Sequence, residues 1–137
     1  MMGGTSDVPA VTFITELDNH LHDEFAPSHY TDCFGLRRHY PGKSSRAVAF
    51  HVPLLLEDSL TEVKWLGRAG RASFRFHDHL KQCIDVVIIG VHGLHGTADA
   101  ADLLLAKIAQ LLTGVRSGTK VFVMGDFNIN ALPALPG

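Results

Sequence analysis

The run Cys83-Ile84-Asp85-Val86-Val87-Ile88-Ile89-Gly90-Val91 constrains the fold more than any other part of the chain. It is almost continuously apolar and rich in β-branched residues, which suits a strand covered on both faces. A strand of that kind belongs to an α/β domain, with helices lying against a sheet. A helix pattern follows it. From Thr97 to Leu112, the residues Ala101, Leu104, Leu105, Ile108, Leu111 and Leu112 fall at i, i+3, i+4 spacing and predict one core-facing stripe. Thr97 is placed to cap its start, Asp99 and Asp102 suit its positive end, and Gly114 suits the left-handed position beyond its last turn. Val115 to Thr119 then predicts a turn and Lys120 to Met124 a second buried strand.

Upstream, Val8 to Thr15 predicts a short buried strand, with Pro9 near its start where a missing N–H matters least. Leu17 to Phe25 predicts a short helix closed by Ala26-Pro27. Ala47 to Val52 predicts a strand after the loop that begins at Tyr40, and Arg71 to Phe76 alternates with Phe74 and Phe76 on one face. The tail from Ala131 carries two prolines and predicts no element.

A chain of 137 residues is expected to form one domain. Its 46% hydrophobic and 19% charged content excludes an intrinsically disordered polymer. A net charge of −2 provides no global field for nucleic acid, so a phosphate-bearing substrate has to be held locally, by a metal ion or a few arginines. No apolar run approaches the ~20 residues of a membrane helix, and the first residues lack the pattern of a secretory signal. Cys33 and Cys83 imply neither a disulfide framework nor a four-ligand zinc site of their own. The expectation is two buried small hydrophobes in a reducing, intracellular setting.

The chemistry lies where the apolar strands stop. The first ends at Glu16, the central one at His92, and the last at Gly125-Asp126-Phe127-Asn128. Ligands of open α/β sheets collect just beyond the carboxyl ends of strands. Glu16 is a hard oxygen donor suited to Mg²⁺. Asp126 can bind the same ion or orient a water, Asn128 can hold a phosphate oxygen, and His92 can exchange a proton near neutrality.

These residues carry a resemblance. Val121-Phe122-Val123-Met124-Gly125-Asp126-Phe127-Asn128 resembles the strand and GD(F/L)N motif of the endonuclease/exonuclease/phosphatase superfamily, the DNase I-like metal-dependent phosphoesterases. Val86 to His95 resembles that family's strand ending in V-H. Phe13-Ile14-Thr15-Glu16 resembles its strand ending in Q-E, with Thr15 where glutamine is usual. The resemblance implies a partial DNase I-like four-layer α/β sandwich, a mixed sheet with flanking helices, over residues 8–130, with irregular termini at 1–7 and 131–137. It implies Glu16 as the principal ligand of Mg²⁺ (or Mn²⁺), and His92 beside the scissile phosphate. Asp126 would bind metal or activate water, and Asn128 would grip the phosphate. The implied substrate is a phosphodiester or phosphomonoester, with nucleic acid as one such substrate. The chain departs from the family in having no T-W-N strand before Val8 and no S-D-H motif after Asn128. On the resemblance, it is a truncated domain with impaired hydrolysis. The alternative is a non-catalytic remnant that binds a partner, or itself, through an incomplete sheet.

Blander readings stand beside these. Glu16 can be a solvated loop acid, His92 and His95 ordinary loop histidines, and Asp126 with Asn128 an Asx-turn. His20, His22, His77 and His79 have His-x-His spacing, but no further ligands with standard zinc spacing complete them. Arg37, Arg38, Arg68, Arg71 and Arg75 either steer a phosphodiester backbone or form solvated strand faces.

Overall fold

In the computed structural model the described residues are 10–15, 29–31, 35–41, 48–93 and 98–127. The elements run β1 (Thr12–Ile14), β2 (His29–Thr31), β3 (Leu36–His39), β4 (Ala49–Pro53), α1 (Leu54–Glu57), β5 (Leu60–Leu66), β6 (Ala69–His77), β7 (Cys83–His92), α2 (Ala98–Leu111) and β8 (Lys120–Asp126). They form two four-stranded sheets, ordered β1-β4-β3-β2 and β5-β6-β7-β8. The first is antiparallel throughout. The second is antiparallel until β7 and β8, which pair in parallel, with α2 in the connection between them. A parallel neighbour requires such a crossover, and here a helix of 14 residues supplies it. Over the described residues the protein is therefore mixed α/β, with two sheets and few helices.

The central strand explains the layering. Side chains alternate across a strand, so Val87, Ile89 and Val91 leave one face of β7 and Ile88 leaves the other. The odd-numbered set packs with Ala69, Leu104 and Leu111 beneath α2. Ile88 joins Ala72 and Phe74 of its own sheet against Phe13, Phe50 and Val52 of the first and Val48 just before β4. The main core thus lies between the sheets. Phe50 is central to it, with ring centroids 5.0 Å from Phe13 and 5.2 Å from Trp65. Gly90 leaves room for this cluster, since a Cβ there would run into the Phe13 ring.

Several expectations need correction. The strand at Lys120–Met124 is present and extends to Asp126, but it is not buried. It stands at the edge of its sheet among the described residues, and Val121, Phe122 and Val123 are 40%, 53% and 41% exposed. The stripe on α2 is narrower than the spacing predicts. Leu104 and Leu111 are buried and Ile108 and Leu112 partly so, while Leu105 faces solvent. Cys83 is exposed, because it opens β7 on the stretch that α2 does not cover. Gly114 does adopt a positive φ of 81° after α2. The helix expected at Leu17–Phe25, Thr97 and Cys33 lie outside the described residues. Among the described residues no helix is long and apolar enough to cross a membrane.

Candidate functional site

The parallel pairing of β7 with β8 brings two of the sequence-predicted residues together. Its register runs from Val86 opposite Lys120 to His92 opposite Asp126, so the two side chains leave neighbouring strands at the same carboxyl end. They also leave on one face. Ile88 and Met124 belong to the core between the sheets, and steps of two residues carry that face to His92 and Asp126. Both residues are half-buried. Phe13 of β1, packed over Gly90, lies two residues back along β7 on this same face.

Glycines make the close approach possible. Gly125 has φ +131°, a region open to few side-chain-bearing residues, and a Cβ there would overlap the Val91 carbonyl oxygen. The Gly93 N–H donates to the Asp126 carbonyl at 2.8 Å, joining the strands one residue past their last register pair. The glycine of Gly125-Asp126 thus lets β8 bring Asp126 level with His92.

The His92 Nδ1 is buried and has no hydrogen-bond partner among the described residues. An unsatisfied buried polar atom costs about 1–3 kcal/mol, so this nitrogen marks a place where a ligand oxygen would be stabilised. Glu16 and Asn128 each lie two residues beyond a described strand, and His95 lies beyond Gly93. All three are outside the described residues. Among the described residues, no three or more His, Cys, Asp or Glu side chains converge as a metal-binding group.

The remaining candidates are dispersed. His77 and Cys83 face each other across β6 and β7, with Nε2 and Sγ 3.4 Å apart. Arg71 is occupied structurally: its Nε donates to Ser73 Oγ, and its Nη1 donates to the carbonyls of Leu111 and Thr113 at the end of α2. Arg37 approaches Glu57 at 3.9 Å, and His39 Nε2 lies 2.6 Å from the other Glu57 oxygen. The sequence reading missed this last cluster. Its partners are separated by a loop and a strand, and no local spacing announces it.

Arg75 Nε donates to Asp85 Oδ1 at 2.9 Å. That hydrogen bond holds the Asp85 carboxyl below its ordinary value of 3.8; partial burial opposes it, and the charges of Arg75 and Arg116 support it. A carboxyl lowered on folding stabilises the fold above its unfolded value and loses that contribution as pH falls through the folded value. An NMR titration should therefore place the Asp85 midpoint below 3.8, with Arg75→Gln moving it back up. A midpoint unmoved by the substitution would contradict this origin.

Comparison with protein-family models, with characterised proteins and with solved structures finds no match for the chain.

Proposed function

We propose that the carboxyl ends of β7 and β8 form part of a metal-assisted phosphoester-hydrolysing site on a DNase I-like scaffold. The observation that carries this reading is the register pair His92–Asp126, on one face at the end of two parallel strands, with a buried His92 nitrogen lacking a partner among the described residues. The donor set fits a hard cation in part. Asp126 offers the oxygen that Mg²⁺ prefers, and Glu16, two residues along the chain beyond β1, is the proposed second carboxylate.

When bound, Mg²⁺ supplies positive charge that polarises a phosphoryl oxygen. The chain's own residues do the rest. Asp126 holds the cation or orients water, Asn128 grips a phosphate oxygen, and His92 donates to or exchanges a proton with the phosphate group. Among the described residues no carboxylate pairs with His92 Nδ1 to make an acid/base couple, so turnover is expected to be slow. A second reading, a partner-binding scaffold without catalysis, is favoured by the exposed apolar residues on β8.

Mn²⁺ binding followed by electron paramagnetic resonance tests the proposal. One tighter class of site is expected, weakened about tenfold by Asp126→Asn or Glu16→Gln, since each removes the charge a hard cation seeks. Asp85→Asn should leave it unchanged. In Mg²⁺ the chain should cleave an aryl phosphodiester no faster than the Glu16→Gln, Asp126→Asn double variant. Mn²⁺ binding indifferent to both carboxylates would remove the site, and turnover well above the control would show that His92 acts with a partner this reading omits.

A further inference from the structure

A polar concavity lies on the face of the β5–β8 sheet that carries α2, away from the carboxyl ends of β7 and β8. Asp85, at one edge of it, and His92 are seven positions apart on β7, about 23 Å at ~3.3 Å per residue, and alternation sends their side chains to opposite faces of the sheet. The concavity has a volume of about 120 Å³. Against ~30 Å³ for a water in the liquid, it has room for a small hydrated or tetrahedral ion, and it is well below the ~300 Å³ at which pockets for larger organic ligands begin.

Its lining is unlike that of a packing defect. Arg71, Arg75 and Arg116 border it, together with the hydroxyl residues Ser73 and Thr119 and the single carboxylate Asp85. Three arginines and one carboxylate line it, and the negative end of α2 is already met by Arg71 through its bonds to the Leu111 and Thr113 carbonyls. Arg71 is held rigidly by Ser73 on one side and by these carbonyls on the other. Arg75 is fixed by Asp85. Excess positive charge on oriented, planar donors, beside hydroxyls and in a concavity of this size, is the arrangement that recognises a doubly charged oxyanion.

We propose that this hollow binds a phosphate-class oxyanion, either free or as the terminal group of a monoester. It is independent of the strand-end site and requires no metal. Asp85 competes with the anion for Arg75 and Arg116, so removing its charge strengthens binding rather than weakening it.

Ligand-observed ³¹P NMR tests this on the full chain in any state of association, in EDTA so that the metal-dependent site contributes nothing. Inorganic phosphate should show saturable line broadening that sulfate displaces and chloride at equal ionic strength does not. Arg116→Gln should weaken binding about tenfold through the loss of a charge-assisted contact, and Asp85→Asn should tighten it several-fold. Arg68→Gln, which removes an arginine outside the hollow, should change nothing. Phenyl phosphate binding as well as phosphate would assign the hollow to monoesters, and exclusion of phenyl phosphate would assign it to the free ion. Broadening that does not saturate, that chloride displaces equally, or that ignores Arg116 and Asp85 would overturn the proposal. None of these outcomes depends on Mn²⁺ binding at Asp126, so the two sites succeed or fail separately.

Discussion

Gly125→Ala is expected to destabilise the chain by about 3 kcal/mol or more, a large share of the 5–15 kcal/mol that holds an ordinary domain together. Two costs add at this position. The backbone has φ +131°, which a side-chain-bearing residue adopts only under strain, and the new Cβ would occupy the place of the Val91 carbonyl oxygen on the paired strand. Relief requires β8 to separate from β7, where His92 and Asp126 are brought level. Gly118→Ala is the control. Gly118 also has a positive φ, 86°, but nothing lies within 4 Å of an added Cβ. It therefore pays conformational strain alone, about 1–2 kcal/mol. Urea denaturation followed by circular dichroism should rank Gly125→Ala well below Gly118→Ala, and Mn²⁺ binding should fall with the first only. Equal midpoints would mean that the contact between β7 and β8 at Val91 is looser than its geometry requires.

That glycine also shows what the sequence could convey. Gly125-Asp126 was legible as a strand end because apolar residues stop there and polar ones begin. β7 and α2 were legible for the same kind of reason, since each has a long, uninterrupted pattern. β5 was not. Leu60, Val63 and Trp65 all pack against the core between the sheets, but an irregularity between Leu60 and Glu62 breaks the period of two that would have revealed the strand. β3 was hidden differently. It reads Leu-Arg-Arg-His, and two of its polar side chains are accommodated by Glu57, which becomes a neighbour only after folding. The interior position expected for Cys83 followed from residue type, whereas its exposure follows from where α2 ends over β7. In the candidate site, the sequence identified His92 and Asp126 as residues at strand ends. Their adjacency required the parallel register, which depends on the crossover through α2 and is not written in either segment alone.

The same limit explains β8, and it leads to the largest expected effect on solution behaviour. Val121-Phe122-Val123 has the composition of an interior strand, yet the fold leaves it at a sheet edge with all three side chains exposed. Full burial of such a side chain contributes about 1.5–3 kcal/mol, so covering the exposed portions of three is worth about 3 kcal/mol per chain. Backbone N–H and C=O groups on the side of β8 that no described strand pairs add direction to that attraction. The 137-residue chain is therefore expected to self-associate, its apparent mass by size-exclusion chromatography with light scattering rising with concentration. Val121→Lys with Val123→Lys should shift it toward monomer. Both residues lie on the sheet face that carries α2, away from Met124 and the main core, and lysine opposes edge pairing. Near-UV circular dichroism should be retained in the double variant, which separates lost association from lost folding. A wild-type chain that remains a monodisperse monomer at every concentration would mean that another segment already covers β8. A variant that associates as strongly as the wild type would place the interface elsewhere.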